Sequence, residues 1–260
     1  MLPALLDVQR LTTVFEAPAG RMVAVDDVSF TLGAGETLGL VGESGSGKTV
    51  TALSLLRLVQ PPGRIAAGRV GFEGRDLMTL PEEDLRAVRG ARIGLVFQDA
   101  SGALNPVLTV GDQIAETLAV HGLARGKAAR TRAIELLDAV RIHDPARRAD
   151  DYPHQLSGGM RQRVSIAMAI ACRPALVVAD EPTASLDTTV QAEILALLGE
   201  MRQAFGVSLL LITHDLRVVA GMADRVAVMQ AGRIVEQGPV AQVIAHPSHP
   251  YTRSLIAAGR

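Results

Sequence analysis

Cysteine is almost absent. The single one, Cys172, excludes a disulfide within the chain and a metal site built from several thiolates, and it suits a reducing compartment. It falls in a helical pattern, where a lone cysteine reads as a small buried residue. Long apolar runs are missing too. The best candidate, SIAMAIAC, lies between Arg163 and Arg173 and falls well short of the ~18 residues of a membrane span. The opening MLPALLDVQR has neither the basic start nor the apolar length of a signal peptide. An excess of charge is also lacking: 26 Lys and Arg stand against 27 Asp and Glu, so the chain as a whole is not an obvious nucleic-acid binder, which leaves local basic patches open. There is no repeat of fixed period and no low-complexity tract. These absences leave a soluble cytoplasmic protein, large enough at 260 residues for one large domain or a domain with a subdomain. Any membrane role requires a partner that supplies the span.

What is present is an α/β pattern. Residues 5–11, 22–32 and 68–74 read as strands, punctuated by Gly33-Ala34-Gly35 and Gly74. TLGLVG (37–42), IGLVF (93–97), ALVVAD (175–180) and VSLLLITHD (207–215) contain short apolar runs of the kind found in parallel strands buried on both faces. Helical spacing occupies 48–58, 188–205 and 239–245, and RVAVMQAGRIVEQG reads as a hairpin. From 110 to about 172, VGDQIAETLAVHG, KAARTRAIELLDAV and a helix opening at SGGM follow one another without a strand, separated by loops at 122–126 and 143–156. The pattern predicts a core made of about 1–98 and 173–260, with a helical subdomain at about 99–172 inserted in it.

Gly42-Glu43-Ser44-Gly45-Ser46-Gly47-Lys48-Thr49 fits G-x-x-x-x-G-K-[ST] in full, after a buried strand and before a helix. Glycines permit a tight loop whose N–H groups point inward and, with the helix N-terminus, hold phosphate oxygens. Lys48 is then placed to neutralise the β- and γ-phosphates, and the Thr49 hydroxyl to ligate Mg²⁺. Such a loop needs an acid on a neighbouring strand. ALVVAD supplies Asp180 as the metal carboxylate, and Glu181 directly after it is placed to polarise the water that attacks the γ-phosphate. Two more polar residues follow buried runs: Gln98, a candidate for Mg²⁺ or the attacking water, and His214, a candidate γ-phosphate contact. Taken alone, each also reads as an ordinary structural or surface residue.

SGGMRQRVSIAMAI (157–170) is the odd stretch. Ser157 caps a helix that begins with two glycines and carries Arg161 and Arg163 near its start, where the helix dipole disfavours cations. Val164, Met168 and Ala171 share one side and predict a buried stripe. An anion at this N-terminus would turn the hydroxyl, the free N–H groups and the arginines into an asset. The chain already has a loop for its own phosphates, so the helix start reads as half of a site that serves another subunit.

The phosphate loop, Gln98, LSGGM (156–160), Asp180-Glu181, SLD (185–187) and His214, in this order, resemble the nucleotide-binding subunit of an ATP-binding-cassette transporter over essentially the whole chain. FQDASGALNPVLTVGDQ, YPHQLSGGMRQRV and the tail HPSHPYTRSLIAAGR further resemble the ATPases of dipeptide, oligopeptide and nickel importers, and LSGGM resembles the first of their two usual subunit types. Residues 246–260 match the start of that subgroup's C-terminal extension. The resemblance implies a P-loop NTPase core with a mainly parallel sheet, an N-terminal antiparallel β subdomain and an inserted helical subdomain. It implies that ATP and Mg²⁺ sit between two subunits, the P-loop of one facing Ser157, Gly158, Gly159 and Met160 of the other. Asp187 then crosses the interface to the opposite P-loop, and Phe15 stacks on adenine, although the loop after it, EAPAGRM, is long and Phe15 also reads as core. The implied partners are a second, non-identical LSGGQ-type ATPase subunit, two membrane permeases and, indirectly, an extracytoplasmic solute-binding protein, with no nucleic acid. The implied location is the cytoplasmic face of the inner membrane, and the implied cargo is a peptide-like solute or nickel. Rival readings are weaker. Chromosome-maintenance heads are split by long heptad helices, whereas only residues 50–156 separate Thr49 from Ser157, without sustained heptads. Translation factors of this superfamily carry two cassettes, and single-chain exporters fuse membrane spans to theirs.

Overall fold

The computed structural model describes residues 4–17 and 20–258. Strands β1 (Leu6–Ala17), β2 (Gly20–Leu32) and β3 (Thr37–Val41) lead to helix α1 (Lys48–Leu55), then β4 (Gly63–Phe72), β5 (Arg75–Asp76), α2 (Glu82–Val88) and β6 (Ile93–Val96). Helices follow: α3 (Ala100–Ala103), α4 (Val110–Val120), α5 (Gly126–Ala139), α6 (Pro145–Arg148) and α7 (Gly158–Ile170). Next come β7 (Leu176–Asp180), α8 (Thr188–Phe205), β8 (Ser208–Thr213), α9 (Leu216–Met222), β9 (Arg225–Gln230), β10 (Arg233–Pro239), α10 (Val240–Ala245) and α11 (Pro250–Ala258). Among the described residues no helix is long and apolar enough to cross a membrane. The chain divides into two compact units, Met1–Leu85 with Ser208–Arg260, and Arg86–Val207.

The first unit holds an antiparallel sheet of order β2-β1-β4-β5. The segment EAPAGRM is not a long loop. Phe15 pairs with Met22, Glu16 with Arg21 and Ala17 with Gly20, so the strands run to the tip of a hairpin. Pro18 and Ala19 lie outside the described residues. Register shifts between Val8 and Val14 break the period-two pattern, which is why the alternation in the sequence reported only part of each strand. The unit's other sheet runs β10-β9-β3-β8. Strand β3 pairs in parallel with β8 and β9, and β9 pairs antiparallel with β10 as the predicted hairpin. Every residue of β3 and β8 is buried, as expected of parallel strands covered on both faces. The Thr13 and Ser54 hydroxyls lie 2.7 Å apart and join β1 to α1.

The second unit is built around α7. This helix packs against β6, α3, α4, α5 and α8. It is buried from Gln162 to Ala167 and again at Ala169 and Ile170, while Met168 is only half-buried. Val164 and Ala171 of the expected stripe are buried and Met168 is half-buried, but burial extends around most of the helix rather than along that side alone. Strands β6 and β7 pair in parallel, Ile93 with Leu176 and Val96 with Ala179. Gly94 is required by close approach, because a Cβ there would collide with the Ala169 backbone of α7. Cys172, past the end of α7, is half-buried, and burial pushes its thiol up, away from the reactive thiolate.

Candidate functional site

The phosphate loop joins β3 to α1 inside the first unit. Gly47 occupies the N-cap position of α1 with φ 104°, a left-handed value that favours glycine, and no side chain caps the helix. A Cβ at Gly42 or Gly47 would meet the backbone of Met229 or Ala24, so both glycines are also fixed by contact with β9 and β2. The Lys48 side chain is buried at 4% exposure and turns back over the loop. Its Nζ donates to the carbonyls of Gly42 at 2.7 Å and Glu43 at 2.9 Å, with the Ser46 hydroxyl at 3.5 Å. Glu43, Ser44, Gly45 and the Thr49 hydroxyl-bearing residue are exposed, whereas Ser46 is buried. A helix N-terminus without a side-chain cap, with a buried ammonium held beside it, fits a phosphate group. Strand β8 runs beside β3 with Thr213 opposite Val41, so His214 follows its strand as Gly42 follows its own, at the same sheet edge. Asp215 caps α9, accepting from the Arg217 amide at 2.8 Å. Its carboxyl is held below the usual range chiefly by the hydrogen bond from the Arg217 side chain.

Phe15 lies in the same unit but has close neighbours of its own. A Cβ on Gly63, its cross-strand partner, would sit 2.6 Å from the Phe15 ring, and equally close to Val59. The ring is half-buried over Gly63.

In the second unit, Asp180 ends β7 and is buried at 5% exposure. The register that pairs Val96 with Ala179 sets Phe97 beside Asp180 and brings the exposed Gln98 and the half-buried Glu181 to the same rim. Glu181 has φ 42°, a left-handed value uncommon outside glycine, which turns the chain sharply out of the strand. The turn is closed by the Ala184 amide donating to the Glu181 carbonyl at 3.2 Å.

Helix α7 starts as the sequence suggests. The exposed Ser157 is its N-cap and accepts from the Met160 amide at 3.3 Å. The arginines have other roles. Arg163 is buried, donates to the Val140 carbonyl at 2.9 Å and pairs with Glu193 at 2.8 Å, which stitches α7 to the end of α5 and to α8. Arg161 reaches the Pro153 carbonyl at 3.4 Å. Arg163 is thus a structural tie, while the buried Nε of Arg161 has no partner among the described residues. Asp187, also exposed, caps α8 by accepting from the Val190 amide at 3.0 Å.

The two glycines differ. A Cβ on Gly159 would stand 2.7 Å from Val190 Cγ1, whereas one on Gly158 would meet Leu186 at an ordinary 3.5 Å. Valine cannot swing its methyls aside freely. Gly159→Ala is therefore expected to destabilise the chain by about 1–2 kcal/mol in a denaturant titration, its overpacking outweighing the better helix propensity of alanine. Gly158→Ala should leave stability unchanged or slightly raised.

A family model described as "ABC transporter" matches residues 25–184. A Brucella abortus (strain 2308) protein named "Putative peptide import ATP-binding protein" is 54% identical over 98% of this chain and 76% of its own length. A Brucella melitensis biotype 1 protein of the same description is 51% identical over 97% of this chain and 76% of its own. Among solved structures, the ATP-binding cassette MJ0796, a dimer in a post-hydrolysis state bound to ADP and Pi, superposes with a TM-score of 0.81 at 28% identity, covering 90% of this chain and 98% of that one. The cbiO1 protein of Clostridium perfringens, part of the ABC transporter complex cbiONQ, gives 0.78 at 28% identity over 94% of this chain and 91% of that one.

Proposed function

This chain belongs to the ABC transporter family, and on that premise we propose that it is the ATP-binding and ATP-hydrolysing subunit that powers import of a peptide-like solute through a membrane permease. The observation that carries the reading is the loop at residues 42–49, closed on the buried Lys48 ammonium at a helix start without a side-chain cap. The names carried by the Brucella relatives support peptide as the class of cargo over nickel.

Roles follow residue by residue. The backbone of Gly42 to Thr49 and the Lys48 ammonium bind the β- and γ-phosphates. Thr49, Asp180 and Gln98 hold Mg²⁺, which when bound neutralises charge on the phosphate oxygens. Glu181 accepts a proton from the attacking water, and His214 hydrogen-bonds the γ-phosphate. Phe15 stacks on adenine. Ser157, Gly158, Gly159, Met160 and Asp187 act on the nucleotide of a second ATPase subunit, an LSGGQ-type paralogue; the dimeric state of MJ0796 supports a paired arrangement of cassettes. Residues 99–172 form the helical signature subdomain, a groove near Gln98 and the segment after it receives a short helix of the permease, and 246–260 begin the C-terminal extension. The remaining partners are two permeases and, through them, an extracytoplasmic solute-binding protein; nucleic acid is not among them. The complex works at the cytoplasmic face of the inner membrane.

Reconstitution with the permeases, the partner ATPase and the solute-binding protein tests this reading. Peptide-loaded binding protein is expected to stimulate ATP turnover, and stimulation by nickel alone would move the cargo class. In the same assay Ser157→Arg should stop turnover while ATP affinity of the isolated chain stays at the parent value. Arginine loses the cap, worth roughly 1 kcal/mol, but projects from an exposed position without a packing clash. Lost ATP binding by the isolated variant would mean that LSGG acts within its own subunit.

A further inference from the structure

Tyr251 connects the C-terminal segment to the phosphate loop. The Glu43 backbone N–H donates to the Tyr251 hydroxyl at 2.9 Å, across 208 residues of sequence. That N–H and the Gly42 carbonyl belong to one planar peptide group, and the carbonyl accepts Lys48 Nζ at 2.7 Å. The peptide is thus held at both ends, by a phenol on one side and by the ammonium on the other. A hydrogen bond at the N–H end polarises the carbonyl and strengthens its hold on the lysine. The next carbonyl, of Glu43, also accepts from Lys48 and from the Ser46 amide at 3.1 Å.

The phenol is itself held in place. Tyr251, Leu255 and Ile256 of α11 pack on a buried cluster that includes Val41, the residue directly before the loop, together with Val219, Val228 and Val243. At the start of α11, Glu236 of β10 accepts from the Ser248 amide and hydroxyl, both at 2.8 Å, and from the His249 amide at 3.0 Å. Burial pushes the Glu236 carboxyl up, but hydrogen bonding from the Thr252 side chain of α11 and from Ser248 and His249 just before it outweighs this and brings it down to about 2. Burial pushes the Tyr251 phenol up, so at neutral pH it remains the uncharged hydroxyl.

We propose that Tyr251 is a positioning residue for nucleotide binding, fixing the Gly42–Glu43 peptide and through it Lys48, so that the C-terminal segment forms part of the phosphate site. The inference rests on the reading of residues 42–49 as an ATP site. Tyr251→Phe keeps the ring on its apolar cluster and removes only the hydroxyl. In calorimetric titration of the full chain with MgATP, the variant is expected to bind about five-fold more weakly, the loss of one hydrogen bond, with little change in melting temperature. Hydrogen exchange at the Glu43 amide should quicken in the nucleotide-free chain. Glu236→Ala, which frees the start of α11, should weaken binding in the same direction by roughly two-fold. If the parent chain binds ATP and Tyr251→Phe binds it equally well, Tyr251 has no positioning role, even if the variant melts earlier. If the parent chain does not bind ATP, the reading of the loop fails and takes this inference with it.

Discussion

Glu181→Gln is expected to lower ATP turnover of the assembled transporter by at least about 100-fold, the usual contribution of a positioned general base. ATP affinity should remain at the parent value. The amide matches the carboxylate in shape but cannot take a proton from water, so a variant that binds ATP should accumulate as a closed dimer, detectable by light scattering in the presence of MgATP. Glu181 sits in a left-handed turn at the end of a strand, next to the buried Asp180. Near-parent turnover would remove Glu181 from the chemistry and leave it as a turn residue.

Lys48→Ala should have its main effect one step earlier, on binding. The ammonium is buried and holds two loop carbonyls, so its loss removes a charge from the proposed phosphate site and leaves the Gly42 carbonyl short of a donor, while the Glu43 carbonyl keeps the Ser46 amide. Truncating one member of a buried charged pair costs about 2–5 kcal/mol, so MgATP should bind at least ~30-fold more weakly to the isolated chain. Titration of the variant against the parent measures this directly. Equal affinity would show that the loop backbone and the start of α1 bind phosphate without the lysine. The two variants divide the cycle: Lys48→Ala fails to bind, and Glu181→Gln binds but does not turn over.

Much of the architecture was legible in the chain because the local signals were strong. The apolar runs before Gly42, Asp180 and His214 are buried strands at every residue, and such runs have no solvent face to obscure them. The three helices between 110 and 172 appear near the expected bounds. The first hairpin was read too short because shifts in register change which face each side chain occupies, and a pattern with period two loses its phase there. Helix α11 carried no comparable signal. It is nine residues long, and its apolar side chains are few and only partly buried. Arg163 near the start of α7 is a different case. Dipole arguments weigh a charge against its own helix, whereas Arg163 is balanced by Glu193, thirty positions away.

The sequence by itself determined the glycine-rich loop at 42–49, the adjacent carboxylates at the end of β7, the order of the motifs and the class of fold. Each of these depends on neighbours within a few residues: a glycine that allows a turn, a lysine at a helix start, an acid closing an apolar run. Only the tertiary structure decided that Gly159 makes room for Val190, that Arg163 ties three helices together, and that Tyr251 holds the peptide carrying the Lys48 contact. Close approach and hydrogen bonding depend on which backbone the fold brings within about 3 Å, and no local pattern in this chain encodes the 208-residue separation between Tyr251 and Glu43.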